Sequence, residues 1–305
     1  MSPARRWLQW TLSALVLALA AWLLWRQLRG LDPAHLQAAL VALPASAIAL
    51  SLTATAVSFA CLAIYERLAT QWLAPGKVPR AVAWRTGLVA HALANTLGFH
   101  PVTAVALRLR SYRALGIDAA TLAKIVALIG ACVAAGVFAI LAAAGAWSLW
   151  RLGQRQLLLL LLIAAVAAFA ALKRRLRQAS LRFPLLAHAG ALLALGLLEM
   201  AAATAALAVL LPAGALPGGP AFVLLFVTAT MLGIVSHAPG GLGVFEATML
   251  AAAAPGARAQ VLAALLAYRL LYNLLPCALA LLAVAGAAAR ERVGRRLSST
   301  ADTRA

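Results

Sequence analysis

The sequence predicts an all-α fold: a polytopic transmembrane helical bundle of about six full spans plus two oppositely oriented re-entrant helical hairpins. Three observations lead there. The 305 residues are 65% hydrophobic with only seven acids, and apolar runs of span length, about 18 residues or more, recur from end to end. Proline and glycine interrupt two of those runs. Basic residues gather in alternate connections between them.

Full spans fall near residues 7–28, 45–71, 119–148, 156–172, 185–211 and 260–288. The first follows Arg5 and Arg6 and carries Trp7 and Trp10 at one end, Trp22 and Trp25 at the other. Interface anchors at both ends mark a retained span rather than a cleaved signal peptide. The regions 82–115 and 221–254 differ from these. Gly98, Phe99, His100 and Pro101 break the first, and Pro239, Gly240, Gly241 and Gly243 break the second. Proline lacks the N–H and glycine gains little from helix, so the helix stops at both places. Arms of about 14–16 residues in the second region would reach only about 21–24 Å as helix. The hydrocarbon layer is about 30 Å thick, so each region reads as a hairpin that enters and leaves by one face. Glu246 then stands about two helical turns beyond Pro239.

Charge supports this topology. With both termini cytoplasmic and both regions counted as hairpins, nineteen basic residues fall inside and five outside, while Lys124 and Arg269 lie within helices. Trp72, Trp84, Trp147 and Trp150 fall at the expected interfaces. The first hairpin then opens to the cytoplasm and the second to the outside. An offset of 138 residues places Pro101 on Pro239 and Arg108 on Glu246. It suggests a weak inverted repeat over 82–148 and 221–288, the arrangement used for alternating access. Chance similarity between two alanine-rich segments is the alternative. The whole of 1–305 reads as a single integral membrane domain, and no separate soluble catalytic domain is expected.

The net charge of +19 does not indicate nucleic acid, because the basic residues punctuate apolar spans instead of forming one stripe. Topogenic charge facing an anionic lipid surface is the better reading. Cys61, Cys132 and Cys277 stand singly in apolar segments and read as small core residues.

Candidate site residues are the polar groups at membrane depth. Glu246 and Glu199 are costly there unless paired or solvated, so each reads as a coupling acid or an ion-pair partner. Glu66, beside Arg67 at a span end, reads as solvated or locally paired. Arg269, Tyr272, Asn273 and Pro276 share one helical face, which suits a phosphate-bearing headgroup; an ion pair of Arg269 with Glu246 or Glu199 is the alternative. Arg108 and Arg110, with Arg113 and Tyr112, follow the first break and either bind anionic headgroups or serve topology alone. His237 and His100 lie at the breaks, as proton-relay candidates or as donors to freed carbonyls. Asn95 and Asn273 also suit freed backbone. No catalytic residue, metal site or cofactor is expected: there is no hydrolase triad, paired aspartate or phosphate-cradling loop.

The block Pro239-Gly240-Gly241-Leu242-Gly243-Val244-Phe245-Glu246, with Tyr268-Arg269-Leu270-Leu271-Tyr272 and Pro276, resembles the transmembrane region of the lysylphosphatidylglycerol synthase family. That family includes the flippase half of MprF proteins and stand-alone members. Gly98, Phe99, Pro101 and Arg108 resemble the N-terminal counterpart of the block, but Val102, Thr103 and Ala104 replace the small glycine- or serine-rich residues expected there. The resemblance covers roughly residues 5–290. It implies a membrane domain that moves a polar or charged lipid headgroup between leaflets, without the aminoacyl-transferring domain of the bifunctional members. The partner implied is a membrane phospholipid or another amphipathic lipid, in a bacterial cytoplasmic (inner) membrane. The rival is an accessory subunit, or a membrane-embedded transferase acting in lipid or polyprenyl-phosphate-linked glycan modification. A homo-oligomer and a complex with a lipid-modifying enzyme both remain open.

Overall fold

The computed structural model describes residues 33–97, 100–154, 156–157, 185–236 and 238–286. The expected span near 7–28, nearly all of that near 156–172, the basic run 173–182, the C-terminal arginines, Gly98, Phe99 and His237 lie outside those residues. The described residues form helices joined by turns, without a strand. In chain order the α-helices are α1 (Pro33–Val41), α2 (Ala45–Leu73), α3 (Arg80–Leu97), α4 (His100–Arg113), α5 (Ala119–Arg151), α6 (Leu185–Ala208), α7 (Pro220–Val235), α8 (Val244–Ala251) and α9 (Arg258–Tyr268). A 3-10 turn, Pro239–Gly241, precedes α8, and a π-helical segment, Arg269–Leu274, continues α9.

Four helices are long and apolar enough to cross a membrane: Ala45–Leu73, Ala119–Arg151, Gly190–Ala208 and Arg258–Gly286. They coincide with the four expected spans that lie within the described residues. Leu198, Val235, Leu242, Leu270, Leu279 and Leu282 are exposed, an apolar exterior that suits lipid better than water. Helix α1 has no counterpart in the sequence reading and packs on α9.

Helix ends follow local chemistry. Pro44, extended at ψ 139°, opens α2. Helix α4 closes with paired bonds from Gly116 N–H to Arg113 O (3.1 Å) and from Ile117 N–H to Tyr112 O (3.2 Å). That closure needs the left-handed φ of +73° at Gly116. Asp118 then caps α5, its carboxylate accepting from Thr121 N–H at 3.1 Å. Hydrogen bonding to the side chain and the N–H of Thr121 holds the Asp118 pKa below its ordinary value. The cap's contribution is therefore complete above the ordinary aspartate range and is lost as pH falls through the lowered value.

Helix α2 packs along α6 and α3, and α5 along α6 and α7. The main buried apolar cluster joins α2, α6, α7, α8 and α9 through Phe59, Leu207, Phe226, Phe245, Met249 and Leu265. A second cluster sits between α2, α5 and α6 around Leu62, Tyr65, Ile125 and Ile129. Cys61, Cys132 and Cys277 are free thiols buried within this body.

Helices α5 and α6 approach closely, glycine on glycine. A Cβ built on Gly136 would lie 2.8 Å from the Gly196 Cα, and the reverse contact is also 2.8 Å. Small residues permit such approach where lipid supplies no hydrophobic drive between helices. Gly136→Val is therefore expected to cost about 1–3 kcal/mol by overpacking. Gly130→Ala, whose Cβ would meet nothing within 4 Å, is the control expected to stay near neutral. Thermal unfolding in one detergent compares them.

Candidate functional site

Both broken regions fold as helical hairpins. In the first, α3 and α4 lie side by side, with Arg108 of α4 3.3 Å from His91 Nε2 of α3. In the second, α7 and α8 pack together, with the Phe226 and Phe245 ring centroids 5.8 Å apart edge to face. An Ala254 N–H to Ala215 O bond of 3.0 Å ties the base of this hairpin. The second arms end at Arg113 and Ala251, 138 residues apart.

The tips differ, and the residues explain why. In the first hairpin α4 is already helical at His100, and Val102, Thr103 and Ala104 continue it. In the second, Gly240, Gly241 and Gly243 all take positive φ (57°, 65° and 82°), which keeps the backbone out of helix until Val244. The second arm is thus only 8 residues long, shorter than the 14–16 expected. Glu246 consequently lies in the first turn of α8, not two turns beyond Pro239. There its Oε2 accepts from the Gly243 N–H at 2.8 Å.

The two tips meet on the π segment. Pro276 lacks an N–H, and its ring crowds the carbonyl four residues back. The helix widens immediately before it, and the Leu275 N–H reaches Leu270 O. Asn273 Nδ2 donates to Asn95 O at 3.2 Å, and Thr96 Oγ1 donates to Asn273 O at 3.0 Å, which binds the first tip. Arg269 binds the second: Nη1 donates to Gly240 O, and Nε donates to Glu246 Oε1 at 2.6 Å. Its guanidinium also lies 5.6 Å from the Phe245 ring centroid. A Cβ on Gly240 would come within 2.8 Å of Thr96 O, so tip touches tip.

Tyr272 reaches in another direction. Its hydroxyl is 2.8 Å from Ser58 Oγ on α2, and Ser58 donates to Glu199 Oε1 at 3.1 Å. Thr204, on the same helix as Glu199, donates to Met200 O of that helix. Phe245, Tyr268, Tyr272 and Phe59 form a run of ring contacts from the second hairpin through α9 to α2, with centroid separations of 6.0, 5.0 and 5.6 Å.

A second charged cluster lies between α2, α3 and α4. Arg108 Nη2 donates to Glu66 Oε2 at 2.6 Å, its Nε donates to the same oxygen at 2.9 Å, and Tyr112 Oη donates to Glu66 Oε1 at 2.6 Å. Glu66 is 0% and Arg108 2% exposed. Glu66 is therefore neither solvated nor paired with its neighbour Arg67, because adjacent helix residues point to different faces. Gly87 makes room for it, since a Cβ there would lie 2.8 Å from the Glu66 Cβ.

The structure thus brings together Arg269, Glu246, Gly240, Tyr272, Asn273 and Glu199. Arg108 sits in the separate cluster with Glu66. Arg110 is exposed in the last turn of α4. His100 and Pro101 open α4, and their side chains, like that of Pro239, lie outside the described set. Sequence reasoning missed Ser58 and the partnership of Glu66. The available signal was the buried hydroxyl row Ser51, Thr55 and Ser58 at helical spacing along an apolar span.

No family model matches the sequence. The chain is similar to uncharacterized protein slr0712 of Synechocystis sp., with 44% identity over 75 residues, 24% of this chain. The match spans 23% of that protein's length.

Proposed function

We propose that this chain is a lipid translocase that carries a polar or charged headgroup between leaflets, a stand-alone relative of the flippase region of lysylphosphatidylglycerol synthases. The observation that carries this reading is the meeting of two helical hairpins, tip to tip, on a π segment that bears Arg269 and Asn273. Broken backbone at membrane depth survives only where protein or a water-filled cavity surrounds it, and in transporters such breaks surround the substrate. The shared 138-residue offset of the second arms' ends supports two related hairpins, read here as oppositely oriented and re-entrant within a bundle of about six spans. Arg269 is the headgroup-phosphate ligand in this proposal, exchanging Glu246 for substrate, and Arg108 serves the first hairpin. The membrane proposed is the bacterial cytoplasmic one, with both termini inside.

Reconstitution tests it. Purified protein in liposomes should accelerate exchange of headgroup-labelled phospholipid between leaflets. Arg269→Lys, which keeps charge but not the forked geometry, should slow exchange about tenfold, equivalent to about 1.4 kcal/mol of barrier. Exchange no faster than in protein-free vesicles, across several lipid classes, would sink the proposal. A new lipid formed from a polyprenyl-phosphate donor and acceptor would establish a transferase instead.

A further inference from the structure

Three glutamates are buried among the described residues: Glu66, Glu199 and Glu246. Two are neutralised, Glu66 by Arg108 and Glu246 by Arg269, each at 2.6 Å. Glu199 stands apart. It is 5% exposed, lies at the centre of the apolar stretch Gly190–Ala208, and has no cation partner among the described residues.

The elements packed on α6 explain the missing cation. Helix α2 turns Ser58 toward Glu199, with Cys61 and Tyr65 beyond it; farther along, Glu66 is held by Arg108 and Arg67 is only partly buried. Helix α5 brings Cys132, buried beside Tyr65, while Lys124 and Arg151 near its ends are exposed. Helix α9 and its π extension bring Tyr268 and Tyr272; Arg258 is exposed at the start, and Arg269 is committed to Glu246. His188, on α6 itself, is exposed about three turns away. The Oε2 oxygen of Glu199 takes no hydrogen bond among the described residues. A permanent carboxylate with one hydroxyl donor is costly at this depth, whereas a carboxyl that binds and releases a proton has a use for it.

We infer that Glu199 is a proton-binding site, and that Ser58 and Tyr272 relay its charge state to the π segment that holds the two hairpin tips. The chain has two hydrogen-bond polarities. With Glu199 ionised, Tyr272 Oη donates to Ser58 Oγ (2.8 Å) and Ser58 donates to Glu199 Oε1 (3.1 Å). When a proton from the aqueous phase adds to Glu199, the new O–H donates to Ser58 Oγ. Ser58 then turns its own O–H to Tyr272 Oη, and Tyr272 turns its O–H away. The net charge of the cluster rises by the one proton added, and nothing is oxidised or reduced. Tyr272 lies between Arg269 and Asn273, the two side chains that hold the tips, so proton site and clamp share a turn of backbone. The coupling to transport rests on the translocase reading; the proton site does not.

Infrared difference spectra of the full chain in lipid nanodiscs, taken across the neutral pH range, test the site. A protonated-carboxyl band should grow as pH falls, vanish in Glu199→Gln, and move to higher frequency in Ser58→Ala, which keeps the acid. A band that survives Glu199→Gln, or no titrating band at all, overturns the site. Lipid exchange in vesicles carrying a pH gradient tests the relay. Wild type should respond to the gradient, and Glu199→Gln should not. A titrating band with gradient-independent exchange overturns the relay, whereas absence of any exchange refutes the translocase and leaves the site to the infrared result.

Discussion

Arg108→Ala is expected to lower stability by about 3–5 kcal/mol, because it strands the Glu66 carboxylate where no water reaches it. Only Tyr112 would remain as an observed hydroxyl donor to that carboxylate. Gly87 packs so closely on Glu66 that the site has little room to rearrange. The cost comes from the unpaired charge, not from the lost attraction. Glu66→Leu combined with Arg108→Met should therefore recover most of the loss. Denaturant unfolding of Glu66→Leu, Arg108→Met and the double variant gives the coupling energy. Simple additivity of the two losses would show that the pair is not a unit.

Arg269→Ala should have the next largest effect, about 3 kcal/mol, with a different signature. The pair is slightly more open, at 13% and 8% side-chain exposure, so some relaxation is available. Two partners lose a donor together: the Glu246 carboxylate and the Gly240 carbonyl. The second tip then loses its anchor, while Asn273 and Thr96 still hold the first. A cysteine at Leu242, exposed beside the tip, should label faster in Arg269→Ala than in the otherwise unchanged protein. Equal labelling rates would show that Arg269 does not hold the hairpin.

Apolar length was the most legible property. The runs expected at 45–71, 119–148, 185–211 and 260–288 hold the helices Ala45–Leu73, Ala119–Arg151, Gly190–Ala208 and Arg258–Gly286, because a stretch that long and that apolar has few other ways to satisfy its backbone. The breaks were legible too, since Pro239, Gly240 and Gly243 forbid a continuous helix. The partners were not. Glu66 meets Arg108 across 42 positions and Glu199 meets Ser58 across 141, distances at which local pattern carries no information. Adjacency suggested Arg67 for Glu66, yet a helix turns neighbours apart. Polar residues sharing a face were informative: Arg269, Tyr272 and Asn273 all turn inward, although Pro276 widens the helix beneath them.

That widened stretch, six residues from Arg269 to Leu274, holds a surplus residue relative to an α-helix closing over the same turns. Squeezing the surplus out would rotate everything downstream by about 100° around the helix axis. The upstream part would stay fixed, locked by Val261, Ala264 and Leu265, which have no exposure. The downstream part, with Leu279, Leu281 and Leu282 against the exterior, would sweep its outer face around like a shaft turning in a bearing. A bilayer opposes such rotation weakly, because it uncovers no backbone polar group and trades one apolar side chain for another.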